Sequence, residues 1–476
     1  MTTRLPSARL RRPRPAAAAF AAWLTVMLLW LVAAAPAPAQ SLPIEHWTTS
    51  SGARVLFVHA PAIPMLDVSI DFDAGGRHVA RAKAGLASVT NGMMARGAGE
   101  LSEFEIAERF ADLGAIRGGG AGDDRASITL RTLTSQPELD RAVELIELII
   151  TRPTFPADVL AREQQRIVQS LREAEIRPET ISRRAFSALL YPEHPYGNEP
   201  TPQTVAAIVR DDLVEFHRRN YSAPRAVVSM IGAISRSQAE RIAEQLTRGL
   251  PAGQPPPPLP PVANLEAAVE RRIPHPAQQS HILIGAPAIA RGDPDFFALL
   301  VGNHVLGGGG FVSRLTNEVR DKRGLAYSVY SYFAPQAQPG PFTIGLQTAR
   351  EQTDTALKVV RDTLEQFVRE GPTEAEVDAA RSNLVGGFSL RIDSNRKILD
   401  MLAMIGFYRL PLDYLDRWTD EVQRVDRRQI VEAFQRHVHP DRLVTVVVGA
   451  GAQAADAPAA AAPSAAGTAA AGAPAN

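Results

Sequence analysis

The stretch Tyr221-Ser222-Ala223-Pro224-Arg225-Ala226-Val227-Val228-Ser229-Met230-Ile231-Gly232 has a counterpart late in the chain, Val438-His439-Pro440-Asp441-Arg442-Leu443-Val444-Thr445-Val446-Val447-Val448-Gly449. Each reads as a turn, a strand of β-branched and apolar residues, and a closing glycine. Arg225 and Arg442 are 217 residues apart, and so are Gly232 and Gly449. A helix-like stretch precedes each, Arg210–Asn220 and Arg427–His437. Further out, Met65–Phe72 and His281–Gly285 read as the strands that open the two halves. Helical periods fill Leu139–Ile150, Val159–Glu175, Thr355–Glu370 and Glu374–Val385 between them. A repeat this long is no solenoid; it predicts a duplicated α/β or α+β architecture.

The halves are separated by Leu250–Pro261, which holds seven prolines in twelve residues and favours an extended polyproline II spacer. Residues 251–264 are therefore expected to form a linker between domains at 41–250 and 265–450. The N-terminus carries Arg4, Arg9, Arg11, Arg12 and Arg14, then an apolar run from Ala16 to Ala35, then Ala37-Pro38-Ala39. That order predicts a secretory signal peptide over 1–39, with a retained membrane anchor as the alternative. No later run reaches the roughly 18 apolar residues of a membrane span. The last 26 residues, 451–476, contain 15 alanines and one charge, Asp456, and are expected to be a disordered tail.

Composition narrows the function. The chain has 51 basic and 51 acidic residues, no cysteine and 10 histidines. The charge balance argues against a nucleic-acid-coating protein. Without cysteine there is no thiol nucleophile, no cysteine-held metal and no disulfide framework. Secretion together with the Ala-, Pro- and Arg-rich composition suggests a Gram-negative periplasm.

Four passages stand out: Gly75-Gly76-Arg77, Lys83-Ala84-Gly85-Leu86-Ala87, His194-Pro195-Tyr196-Gly197 and Arg320-Asp321-Lys322-Arg323-Gly324-Leu325-Ala326-Tyr327-Ser328-Val329. Together they resemble the pitrilysin/insulinase (inverzincin) family of zinc peptidases, which includes the mitochondrial processing peptidase subunits. The resemblance spans Pro43–Ala450. It implies an α+β fold of two homologous α/β-roll domains, each a mainly antiparallel sheet packed with helices, forming half of a clam shell.

The family's chemistry rests on H-x-x-E-H, whose two imidazoles at i and i+4 share one helix face and hold Zn²⁺, plus a later glutamate ligand. Aligned on Gly85-Leu86-Ala87, the two histidines are Ser88 and Gly92 here, and the glutamate base is Asn91. The later glutamate falls on Gln169 or Ser170. None of these residues can ligate zinc well or accept a proton as a base. Glu163 is out of register and reads as a surface i,i+3 pair with Arg166. His437-x-His439 is the one close histidine pair, with no carboxylate in order beside it, so no metal is expected on this chain.

The second half keeps more. Val305-Leu306-Gly307-Gly308-Gly309-Gly310-Phe311-Val312-Ser313-Arg314-Leu315 reads as a glycine turn and a helix start. It lacks the lysine of a phosphate loop. Its bland reading is a tight turn or close backbone approach. The resemblance places Gly308 and Gly309 at the border of the substrate chamber. Arg320 and Tyr327 match the family's Arg…Tyr pair, which contacts the substrate backbone near the scissile bond. The resemblance implies a catalytically incomplete subunit, inactive alone, that pairs with an H-x-x-E-H-bearing homologue. The zinc would be in that partner, and Arg320 and Tyr327 would act on its peptide substrate. A stand-alone peptide-binding or assembly protein is the alternative.

Overall fold

The computed structural model describes residues 43–253 and 258–449. The expected signal peptide (1–39), the alanine-rich tail (451–476) and the centre of the proline run (254–257) lie outside the described residues. Two sheets organise the chain. The first contains β1 (Glu45–Thr48), β2 (Arg54–His59), β3 (Met65–Phe72), β6 (Ile116–Ala121), β7 (Ala126–Leu133) and β8 (Ala226–Gly232). The short pair β4 (Gly97–Ala98) and β5 (Leu101–Ser102) stands apart. The second sheet contains β9 (Val269–Pro274), β10 (Gln279–Ile289), β11 (Ala326–Phe333), β12 (Gly340–Ala349) and β13 (Val444–Gly449).

The strand orders are β1-β2-β8-β3-β7-β6 and β11-β12-β10-β13-β9. Written from opposite ends they coincide over five strands, β1 being extra: β9, β13, β10, β12 and β11 repeat β2, β8, β3, β7 and β6. The single parallel pairing recurs as well, β2 with β8 and β9 with β13, while the other pairs are antiparallel. The repeat expected from the two glycine-ended strands is thus a repeat of topology. The strands expected to open the halves are β3 and β10, each central in its sheet and preceded by β2 or β9. Those earlier strands carry weaker patterns; Val269-Glu270-Arg271-Arg272 is a charged, exposed sheet edge.

The helices of the first half are α1 (Leu86–Met93), α2 (Glu103–Asp112), α3 (Glu138–Thr151), α4 (Ala157–Ala174), α5 (Pro178–Leu190), α6 (Pro202–Ala206), α7 (Arg210–Asn220) and α8 (Arg236–Arg248). Those of the second are α9 (Phe296–Asn303), α10 (Thr353–Glu370), α11 (Glu374–Gly386), α12 (Asn395–Tyr408), α13 (Tyr414–Arg424) and α14 (Arg427–His437). The six helical periods read from the sequence fall on α3, α4, α7, α10, α11 and α14 within two residues at each end.

The halves exchange helices across the linker. Helix α5 packs on β13 and β10 of the second sheet, where Phe186 and Leu190 join Val444, Val446 and Val448 in one buried cluster. Helix α12 packs on β8, β3 and β2 of the first sheet. Gly406 makes that approach possible, since a Cβ there would stand 2.5 Å from Val227 Cγ1 and 3.0 Å from Leu56 Cδ1. Its carbonyl accepts a 3.0 Å hydrogen bond from Arg54. With helices on both faces, β8 and β13 are buried at every residue. That is why their sequences are continuous apolar runs rather than alternating ones.

A second junction forms at the β6–β7 turn. Asp124 is 4% exposed. It accepts from Arg77 at 3.0 Å and the Tyr196 hydroxyl at 2.6 Å, both in the first half. From the second half it accepts from the Tyr408 hydroxyl and the Ala337 amide, each at 2.8 Å. Gly75 lies so close to this turn that a Cβ would collide with the Asp123 carbonyl. Burial, then the nearby Asp124 charge, drives the Tyr196 and Tyr408 hydroxyl pKa values far upward. The passages Gly75-Gly76-Arg77 and His194-Pro195-Tyr196-Gly197 therefore serve the joint between the halves.

Candidate functional site

Helix α1 starts after Gly85, whose φ of +103° is a left-handed cap that glycine adopts without strain. Leu86, Ala87, Val89, Thr90, Asn91 and Met93 are buried, which leaves Ser88 and Gly92 one turn apart on the exposed face. Asn91 points inward, and its amide donates to the Ser127 carbonyl at 3.2 Å and the Tyr221 oxygen at 3.4 Å. The position aligned with the family's base is thus occupied by a core hydrogen-bond donor. A Cβ built on Gly92 meets nothing within 4 Å, so a side chain could leave the helix there without clash at its first atom. Gln169 and Ser170 are exposed on α4, and the Gln169 amide is tied to Glu173 at 2.9 Å. One hydroxyl on α1, one on α4 and two amides do not fit Zn²⁺, which takes imidazole, thiolate or carboxylate donors.

Glu163 departs from its expected surface role. The 2.9 Å pair with Arg166 forms, but Glu163 is only 9% exposed and also meets Arg96 at 3.4 Å. Its carboxylate meets Arg96 from another segment besides the arginines of its own helix, which spacing along one helix could not reveal.

Helix α1 packs against α7, β6 and β7. Among the described residues, strand β6 ends the first sheet, with a strand neighbour on one side only. Its sequence, Ile116-Arg117-Gly118-Gly119-Gly120-Ala121, is exposed along most of its length. Gly119, at φ +125°, lies where a Cβ would collide with the Ser127 carbonyl. This glycine-rich edge beside α1 was missed in the sequence, because three glycines in a row read as a loop rather than a strand.

In the second half Arg320 and Tyr327 come together. Arg320 lies in a wide helical turn over Thr316–Asp321, and Tyr327 lies at the start of β11. The guanidinium carbon is 4.8 Å from the Tyr327 ring centre and 4.9 Å from that of Phe311. Among the described residues, neither the Arg320 guanidinium nor the Tyr327 hydroxyl makes a hydrogen bond, and the nearest carboxylate oxygen, on Asp321, is 3.9 Å from Arg320. Both groups are open to an outside acceptor.

The glycine segment forms an irregular helical turn, not the expected turn and regular helix. His304–Gly308 and Thr316–Asp321 are wide turns flanking a tight one at Gly310–Val312. Side chains would obstruct it: a Cβ on Gly308 would lie 2.5 Å from the Asn303 amide, and one on Gly309 2.5 Å from the His304 carbonyl. One on Gly307 would collide with Ser331 of β11. Close backbone approach is thus the local reason for the run.

The histidines are mostly structural. His217 donates to the Ile150 carbonyl at 2.8 Å, and burial lowers its pKa. His194 is buried and its Nδ1 accepts the Tyr196 amide at 3.2 Å. His437 does have carboxylates beside it, contrary to the expectation from order alone. Asp295 lies 2.8 Å away and Asp293 3.9 Å away, the one group of three metal-type donors among the described residues. Arg436 shares the Asp295 carboxylate with His437, and Asp293 accepts the Asp295 amide at 2.8 Å. The donors are thus engaged with one another, tying the end of α14 to the start of α9.

A doubled, mainly antiparallel sheet whose α1 lacks metal donors defines a class: zinc-peptidase homologues without the metal-binding motif. The model described as "Insulinase (Peptidase family M16)" matches residues 54–201, and "Peptidase M16 inactive domain" matches 207–384. A solved peptidase M16 inactive domain from Pseudomonas fluorescens is 36% identical, with a TM-score of 0.82, covering 86% of this chain and 98% of that one. An uncharacterized zinc protease of Mycobacterium tuberculosis is 26% identical over 87% of this chain and 94% of its own length. A protease from Helicobacter pylori shares the fold at 18% identity, with a TM-score of 0.78 over 85% of this chain and 99% of that one. The chain belongs to the M16 (insulinase) peptidase family. Its altered motif lies in the segment matched by the peptidase model, not in the one matched by the inactive-domain model.

Proposed function

We propose that this protein is the metal-free subunit of a periplasmic M16 metallo-endopeptidase, exported by its N-terminal signal. A homologue bearing H-x-x-E-H would hold the zinc and activate the water. This chain would supply part of the chamber wall. Its Arg320 and Tyr327 would donate hydrogen bonds to the peptide backbone, and to the oxyanion that develops as the partner's water attacks. The observation that carries this reading is the contrast between the two halves. The α1 face carries no metal donor, whereas Arg320, part-exposed, and Tyr327, exposed, are adjacent and have no hydrogen-bond acceptor among the described residues. The open edge of β6 supports peptide as the ligand, since an extended chain can add to it through backbone hydrogen bonds. No helix of the described residues is long and apolar enough to cross a membrane.

The test is reconstitution. The purified chain should hold no stoichiometric zinc by elemental analysis and should leave unfolded casein intact. Mixed with the zinc-bearing homologue from the same genome, it should restore cleavage, and Arg320→Ala or Tyr327→Phe should lower kcat about 10²-fold. Peptidase activity from the isolated chain would sink the reading.

A further inference from the structure

Two aromatic rings lie close to Arg320: its guanidinium carbon is 4.8 Å from the Tyr327 ring centre and 4.9 Å from that of Phe311. Rings this near attract the cation and limit where its N–H groups point. Phe311 and Tyr327 are 74% and 83% exposed, and Val312 beside them is 78% exposed. The residue that presents Phe311 is fixed: the Ser313 amide and hydroxyl both donate to the Gly310 carbonyl, at 3.1 and 2.8 Å. The Gly309 amide is bonded to the His304 carbonyl at 2.9 Å. Such a turn offers an aromatic face to solvent at a defined place, an expensive arrangement for a monomer's surface unless something covers it.

We infer that Phe311 is a positioning and specificity-determining residue. Together with Tyr327 it positions the Arg320 guanidinium, and its exposed surface takes a bulky apolar side chain of an extended peptide whose carbonyl Arg320 grips. The occupant is a peptide because two kinds of surface meet here. Unpaired N–H and O–H donors match backbone carbonyls, while the rings and Val312 match an apolar side chain one residue away. This inference rests on the proposed peptide-processing function and adds the class of substrate preferred: unfolded segments with an aromatic or aliphatic residue next to the bound carbonyl.

The experiment uses the full chain and two fluorescein-labelled, end-blocked ten-residue peptides of Gly and Ser, one with a central Leu-Phe and one with a central Ser-Ser. Fluorescence anisotropy gives both affinities. Wild type should prefer the Leu-Phe peptide roughly tenfold, and Phe311→Ala should abolish the preference. Phe311→Leu should keep it but weaken both peptides several-fold, because an aliphatic side chain cannot stack the cation. Phe311→Tyr should restore both affinities. Since Phe311 is exposed, unchanged near-UV circular dichroism and melting temperature should accompany every variant. Equal binding of the two peptides by wild type, or an unaltered preference in Phe311→Ala, overturns the inference. So does self-association that Phe311→Ala abolishes, which would assign the patch to a second copy. If neither peptide binds but the reconstituted pair cleaves casein, this inference fails while the proposed function stands. If the pair does not cleave either, the failure belongs to the proposed function.

Discussion

Gly92 sits inside α1, on its exposed face, with open space where a side chain would go. Nothing in the packing requires glycine there, and its φ is not left-handed. Glycine in a helix interior costs about 0.5–1 kcal/mol relative to alanine. Gly92→Ala should therefore stabilise the chain by that amount, read as a rise in the urea midpoint. The same space allows a stronger test. Ser88→His with Gly92→His places two imidazoles at i and i+4 on the outer face. The double variant should bind Co²⁺ at roughly micromolar strength, visible in its d–d absorption, whereas wild type shows none. Those two residues and Asn91 were legible in the sequence because a motif fixes spacing along one helix. Glu163 was misread and Phe311 went unremarked, because burial and ring stacking depend on segments that only the fold brings together.

Among the elements, the glycine segment is anchored by Arg314, whose guanidinium forms a fork with Glu376 at 2.8 and 2.6 Å. Glu376 is also the capping-box residue of α11, accepting the Thr373 amide at 2.7 Å. The Arg314 hydrogen bonds are the largest cause of its lowered pKa, about 2. A carboxyl whose folded pKa is depressed adds stability above its unfolded value near 4.5, and that stability is lost as pH falls toward about 2. Because the pair is partly solvent-screened, Glu376→Gln should cost about 1 kcal/mol at pH 7. The wild-type advantage should shrink steadily as urea melts are repeated below pH 4.5; a constant difference would mean the ionised carboxylate contributes nothing. Helices such as α10, α11 and α14 were legible to within two residues because amphipathic periods are local. Strands β6 and β9 were not, since a sheet edge carries glycine or charge in place of an apolar alternation.

At the scale of the molecule, the exchange of α5 and α12 changes what the proline run means. Two like halves and a Pro-rich tether read as domains joined by a spacer, yet the described residues between 43 and 449 form one compact unit. Each half buries a face of its sheet only with the other's helix. Asp124 adds a polar joint that takes donors from both halves, so Asp124→Ala should leave Arg77, Tyr196 and Tyr408 without their shared acceptor and cost about 3–5 kcal/mol. The exchange makes a sharper prediction for fragments. Residues 41–250 alone would expose Phe186 and Leu190 of α5 and the face of β8 that α12 covers. Residues 265–450 alone would expose the corresponding face of β13 and the apolar side of α12. Each fragment should therefore show helical far-UV but weak near-UV circular dichroism, and should unfold without a cooperative transition. Mixed at equal concentration, the two should co-elute on a sizing column and regain the near-UV spectrum of the intact chain. Sharp, independent unfolding of either fragment would show that its own core suffices and that the exchanged helix is dispensable.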